Sequence, residues 1–146
     1  GKNRFDATLC SSCHSVRGEG GAIGPDLTQV GTRFSAKDIL ENTLDPSKEV
    51  SDQYAATVFT MKDGSSIVGR LINEEEGKYF VSQNPFMPQS LREIAKGDVA
   101  STKLSKVSLM LPGLLGRLND EEIKDLVAYL VAGGNPDSEV YKGKAQ

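Results

Sequence analysis

Three residues carry the recognisable chemistry of this chain: Cys10, Cys13 and His14, in the run Cys10-Ser11-Ser12-Cys13-His14. Two thiols three positions apart fit one helical turn, from which each can add across a vinyl group of a haem and form a thioether. The imidazole that follows then falls beneath the iron, within reach of ligation through Nε2. Attachment of that kind keeps the cofactor from dissociating. Other chemistry is open to the same residue types. A thioredoxin-like redox pair needs a strand before the first cysteine and a helix after it, whereas only nine residues precede Cys10 and a glycine-rich stretch follows. A local disulfide or a partial zinc site leaves the flanking pattern unexplained. One haem c held through Cys10 and Cys13 is the expectation.

Scarcity narrows the field further. The chain has 146 residues but only these two Cys and this one His, with no Trp. A structural zinc site takes four Cys or His ligands. A Ser-His-Asp or Cys-His catalytic pair would have to recruit the same His14. A net charge of −3 argues against nucleic acid as the main partner. No apolar run approaches the ~18 residues of a membrane span. The chain opens on Gly1-Lys2 without an initiator Met or an apolar signal segment, and is expected to be a processed product or an excised piece. At this length a single domain, or a domain with a modest insertion, buries roughly two-thirds of its unfolded surface.

An iron held by His14 needs a sixth ligand or keeps an open position. With no second His, the candidates are three Met, the Lys side chains, or nothing. Met61 sits in a predicted strand and reads as a packing or surface residue. Met87, in Asn84-Pro85-Phe86-Met87-Pro88, is a loop residue and a rival; Met110, in Ser108-Leu109-Met110-Leu111-Pro112-Gly113, precedes the last strong helix pattern. A thioether ligand favours ferrous iron and raises the reduction potential.

The elements that must position these residues follow from periodicity. Phe5, Leu9 and Cys13 fall on one face of a predicted N-terminal helix, and Gly18 to Leu27 form a glycine-rich loop closed by Pro25. Ser35, with Asp38 three residues on, caps a helix through Ile39, Leu40 and Leu44 that Asp45-Pro46 stops. From Tyr54 the period changes to two. Residues 57–61 and 66–72 flank an Asp63-Gly64 turn, residues 78–82 follow Glu74-Glu75-Glu76-Gly77, and residues 91–95 and 99–104 supply two more candidates for a β-meander. Asn119 and Glu122 form a capping-box pattern at the head of a helix whose buried face is Ile123, Leu126, Val127 and Leu130. The expected organisation is one domain over 1–146, a β-rich insertion over 52–106, and a polar tail over 136–146.

In order and spacing, several segments resemble a known family: the Cys10–His14 motif, Gly20 to Leu27, Leu44-Asp45-Pro46-Ser47, Ser108-Leu109-Met110, and Leu118 to Glu122 running into Leu126 to Leu130. The chain resembles a monohaem class I cytochrome c, and more closely the haem-binding domain found in large secreted proteins of planctomycete and verrucomicrobial bacteria. The resemblance implies a mainly α cytochrome c fold, three or more helices around a covalent haem, with a small antiparallel sheet or barrel-like subdomain inserted. It implies that the Pro25 carbonyl accepts from Nδ1 of His14, that Met110 is the axial Met, and that Arg33 and Tyr54 address haem propionates. Phe5 and Tyr129 would be the aromatic pair where the first and last helices cross. Leu111 separates Met110 from Pro112, whereas Pro88 directly follows Met87, so Met87 stays as the alternative ligand.

The function implied is electron transfer by a His/Met-ligated haem cycling between Fe(III) and Fe(II), with no catalytic residue of its own. The partner would be a redox protein or a fused dehydrogenase domain of a larger secreted oxidoreductase, in a periplasmic or other extracytoplasmic setting. The competing reading is a haem sensor or catalytic domain with an open or labile sixth position.

Overall fold

A computed structural model describes residues 1–84, 86–87 and 89–142 of the chain. Pro85 and Pro88, which flank Met87, and residues 143–146 of the expected tail lie outside the described residues. The chain divides into two compact units, Gly1–Lys48 with Leu111–Gln146, and Glu49–Met110.

The first unit carries α1 (Lys2–Ala7), α2 (Cys10–Cys13), the strands β1 (Ser15–Val16) and β2 (Glu19–Gly20), α3 (Val30–Arg33), α4 (Ala36–Leu44), α5 (Asp120–Val131) and α6 (Glu139–Lys142). Both predicted capping boxes are present. Ser35 Oγ accepts from Asp38 N–H at 3.1 Å and the Asp38 carboxylate accepts from Ser35 N–H at 3.1 Å, while Asn119 and Glu122 repeat the arrangement at the head of α5. Each satisfies donors that a helix start otherwise leaves unpaired. The core gathers Phe5, Val16, Ile39, Leu115, Leu126, Tyr129 and Leu130, with Cys10 among them. The Phe5 and Tyr129 rings sit 5.6 Å apart at a tilt of 50°, where α1 crosses α5. An Arg4–Glu122 ion pair at 2.8 Å closes the same crossing.

The second unit is an antiparallel sheet of β3 (Thr57–Met61), β4 (Ser66–Glu75), β5 (Lys78–Ser82), β6 (Leu91–Ala95) and β7 (Val99–Leu104), in the order β6-β5-β4-β3-β7. The first four strands form the predicted meander, but β7 returns to pair with β3, Thr57 opposite Leu104. Only the one-turn helix Lys96–Asp98 separates β6 from β7. Four residue steps reach about 14 Å at most, whereas the edges of a flat five-stranded sheet stand roughly 19 Å apart. The sheet must therefore curl, and Phe59, Ile67, Val81 and Ile94 form its buried core. β4 makes the corner. It pairs with β3 through Gly69 and with β5 from Arg70, and a Cβ on Gly69 would stand 2.5 Å from Val81 Cγ1 and 2.7 Å from Ser82 O.

Two expectations are corrected. The fold is not mainly α: a five-stranded and a two-stranded sheet are the larger organised pieces, and among the described residues only α4 and α5 exceed six residues. The cause lies in the sequence, where residues 57–104 hold five short runs rich in β-branched and apolar residues separated by turns, and in the first 34 residues, where turns and short pairings hold most of the chain. The N-terminal helix is also not continuous through Leu9. Thr8 turns its hydroxyl back onto the Arg4 carbonyl at 2.7 Å, Leu9 takes a left-handed φ of 67°, and its side chain faces solvent instead of sharing a face with Phe5.

Candidate haem-attachment site

The break at Leu9 makes the site. Leu9 is the cap from which α2 starts a single turn, and that turn carries Cys10 and Cys13. Neither cysteine is in a disulfide; Cys10 is buried and Cys13 half-buried. Burial pushes each thiol above its ordinary value, so both stay protonated near neutral pH. Thr8 Oγ1 lies 3.2 Å from Cys10 Sγ. Its proton is committed to the Arg4 carbonyl, so the thiol is the donor in that contact.

His14 closes the turn, its N–H donating to the Cys10 carbonyl at 2.9 Å. The glycine-rich loop folds back on the same turn: Gly21 N–H reaches the Ser11 carbonyl at 2.9 Å and Gly24 N–H the Cys13 carbonyl at 2.8 Å. This brings the Pro25 carbonyl to 2.8 Å from His14 Nδ1. A carbonyl only accepts, so Nδ1 carries the proton and Nε2 keeps its lone pair. Burial pulls the imidazole pKa below its usual value, with the Pro25 carbonyl opposing, and the ring is neutral at pH 7. Gly24 leaves room for it. A Cβ there would lie 2.6 Å from His14 Cε1 and 2.8 Å from Nδ1.

Beyond His14 and Pro25 two segments run side by side. Leu27 N–H donates to the Ser15 carbonyl at 2.8 Å, Ser15 Oγ to Asp26 Oδ2 at 2.9 Å, and Arg17 N–H to Thr28 Oγ1 at 2.7 Å. Asp26 Oδ1 also accepts from Thr28 N–H at 2.8 Å. Its hydrogen bonds to Thr28 and Ser15 hold the Asp26 carboxyl below the ordinary carboxylate range.

The structure thus brings Cys10, Cys13, His14 and Pro25 into one cluster. Arg33, at the end of α3, is exposed with its guanidinium 5.7 Å from the ring of its neighbour Phe34. Tyr54 belongs to the second unit, half-buried, its ring 4.9 Å from the Arg70 guanidinium. Met110 is the last residue of that unit and half-buried, its N–H held by Ser108 Oγ at 3.1 Å. Met87 is 57% exposed, and Met61 packs against the sheet core. The roles of Thr8 and Gly24 and the Ser15–Asp26 contact are absent from the expectations above. Gly24 stands visibly beside Pro25 in the sequence, but that it clears the imidazole is a tertiary fact; for Thr8 the sequence holds no signal.

These residues fit a haem c. Two unbridged thiols stand on one turn, the neutral imidazole beside them keeps Nε2 unprotonated, and a cradle without a side chain accepts the ring. A cavity of about 150 Å³ between Lys2, Phe5, Glu19 and Tyr129 includes none of the four clustered residues. Among the described residues no group of three or more Cys, His, Asp or Glu is arranged to hold a metal ion by itself, and no helix is long and apolar enough to cross a membrane.

A family model for cytochrome c matches residues 1–76, which takes in the thiol turn, the Pro25 loop and α4. No curated protein matches the chain. Proteins of this family carry a covalent haem, transfer electrons with redox partners and are typically extracytoplasmic. By that match, and by the paired thiols beside His14, the chain belongs to the cytochrome c family and carries haem c joined through Cys10 and Cys13.

Proposed function

We propose that the chain is an electron carrier whose haem iron is ligated by Nε2 of His14 and by the Met110 thioether. A bound haem c supplies a one-electron Fe(III)/Fe(II) couple. The observation that carries the reading is the state of His14: its Nδ1 proton is committed to the Pro25 carbonyl at 2.8 Å, which leaves Nε2 as a fixed donor atom with its lone pair unprotonated. His14 is the only imidazole in the chain. Spent on the iron, it leaves none to act as an acid or base on a bound small molecule, which favours a carrier over a catalyst.

For the sixth ligand, three features support Met110 over its rivals. It is joined directly to Leu111, where the cytochrome unit resumes; it is half-buried; and its backbone is tied to Ser108. Met87 stands out in solvent in a loop of the other unit. A His/Met pair raises the potential relative to His with water. Arg33 and Tyr54 are proposed as propionate partners on the resemblance alone. The order of motifs further supports a domain over 1–146 with 52–106 inserted, of the kind found in large secreted planctomycete and verrucomicrobial proteins beside a dehydrogenase-like module, in an extracytoplasmic compartment.

The test is optical. Met110→Ala is expected to lose the methionine-to-iron charge-transfer band of the ferric protein, turn high-spin and bind cyanide readily, while Met87→Ala keeps the wild-type spectrum. An unchanged Met110→Ala spectrum removes Met110 as ligand.

A further inference from the structure

We infer that Asp26 is a positioning residue for the axial histidine: its carboxylate sets the plane of the peptide group whose oxygen holds His14. The inference rests on His14 being the iron ligand. Residues 14–17 and 25–28 form a ladder, and the His14–Pro25 contact is its first rung. The next rungs are Ser15 Oγ on Asp26 Oδ2 at 2.9 Å, Leu27 N–H on the Ser15 carbonyl at 2.8 Å, and Arg17 N–H on Thr28 Oγ1 at 2.7 Å. Proline has no N–H and cannot anchor itself through the backbone. The Pro25 carbonyl is therefore aimed by its two neighbours. On one side Gly24 N–H is tied to Cys13 at 2.8 Å. On the other, the Pro25 carbonyl and the Asp26 N–H share one planar peptide group, so whatever fixes Asp26 fixes the direction of that oxygen.

Asp26 is well suited to this. Its two carboxylate oxygens take different partners on the two segments, Oδ2 from Ser15, the residue directly after His14, and Oδ1 from Thr28. The side chain is exposed and absent from the core of the unit, so apolar packing does not account for it. Both bonds engage a charged acceptor, which makes them stronger than neutral pairs. Tightening the Nδ1–H bond raises the basicity of a ligating imidazole and so favours ferric iron. Loosening it raises the reduction potential.

The test uses the haem-loaded full chain, with two readouts: exchange of the His14 Nδ1 proton followed by NMR, and the potential from a redox titration. Asp26→Ala removes the Ser15 rung and the bond from Thr28 N–H together, and Nδ1 exchange is expected to quicken by about tenfold or more, with a higher potential. Asp26→Asn loses the charge but keeps an oxygen for Thr28 and an NH₂ group for Ser15 Oγ, and its exchange should stay within about twofold of wild type. Ser15→Ala removes one rung, should shift both readouts in the direction of Asp26→Ala, and should add nothing in the Asp26→Ala background. Equal shifts in Asp26→Asn and Asp26→Ala would mean that charge alone acts, and would overturn the inference. So would unchanged exchange in Asp26→Ala, or in Ser15→Ala should Asp26→Ala not accumulate. A wild-type Nδ1 proton without the large shift imposed by a bound paramagnetic iron would overturn the ligation itself, and the inference with it.

Discussion

Gly24→Ala tests the geometry of the site most directly, because the added atom has only one place to go. The Cβ would lie 2.6 Å from His14 Cε1, 2.8 Å from Nδ1 and 3.1 Å from Nε2, where ordinary contact begins at 3.4 Å. The ring, or the loop that carries Pro25, must give by about 0.8 Å. Added to the present 2.8 Å between Nδ1 and the Pro25 carbonyl, that displacement takes the hydrogen bond to about 3.6 Å, beyond useful range. Gly24 does not occupy the left-handed region, so the backbone itself accepts alanine and the cost is steric. Overpacking of this kind costs about 1–3 kcal/mol, the lost bond about 1 kcal/mol more, and the stiffer unfolded chain gives back about 0.4–1 kcal/mol. The net loss is about 1–3.6 kcal/mol, or roughly 2–14 °C in Tm for a chain of this size. Urea unfolding of the haem-loaded protein should show a lower midpoint at an unchanged slope. Gly97→Ala, where a Cβ meets nothing within 4 Å, is the control. A Gly24→Ala midpoint equivalent to within about 0.5 kcal/mol of wild type would show that the loop does not press on His14, and the reasoning would fall.

The capping box of α4 gives a pH prediction. Hydrogen bonds from Ser35 hold the Asp38 carboxyl below the ordinary range, so its stabilising effect is present above the ordinary carboxylate pKa and is lost as pH falls through the depressed folded value. Asp38→Asn should therefore flatten the stability–pH curve on its acid side, as measured by thermal melts between about pH 2 and 5, and a curve parallel to wild type would contradict the assignment. Phe5→Ala should cost about 3–5 kcal/mol, since it removes a fully buried ring from the crossing of α1 and α5; a loss under about 1 kcal/mol would mean that the Phe5–Tyr129 contact does not hold the crossing.

What was legible in the sequence was what is local. Ser35 with Asp38, and Asn119 with Glu122, announce their helices because a capping box is complete within four residues. The strand segments were legible for the same reason, since Thr57 to Met61 and Lys78 to Ser82 are short runs of β-branched and aromatic residues next to local turn signals. Their order was not. The return of β7 to β3 joins Thr57 to Leu104, and the inference of a curl needs both the pairing and the shortness of the Lys96–Asp98 link. The mainly α expectation came from the resemblance of the haem-binding segments, and it gave too little weight to a strand-forming stretch that runs from Thr57 to Leu104 of the second unit. Leu9 shows a different limit. Its spacing from Phe5 and Cys13 fits a helix perfectly well, and only the back-bonding of Thr8 to Arg4 turns it out to solvent.

That misplacement matters to the chemistry. A helix continuous from Lys2 through Cys13 would give Ser11, Ser12, Cys13 and His14 N–H groups carbonyl partners at positions 7 to 10, and would fix the thiol turn to the axis of α1. Broken at Leu9, α2 instead stands as a separate turn, and its C-terminal carbonyls, Ser11 and Cys13, accept from Gly21 and Gly24 of the loop. The loop is thereby referenced to the thiol turn itself, and Pro25 to His14, over a path of a few hydrogen bonds. The proposed electron carrier would benefit from such a path, because Nε2 of His14, the proposed donor atom, then holds its position relative to the two thiols. The single histidine, the two cysteines beside it and the left-handed leucine before them are in this sense one device. A Leu9→Gly substitution, which relieves the left-handed strain without touching a ligand, should preserve the spectrum of the haem-loaded protein and not destabilise it by more than about 1 kcal/mol; loss of the wild-type spectrum in that variant would mean that the leucine side chain, and not the break it tolerates, sets the site.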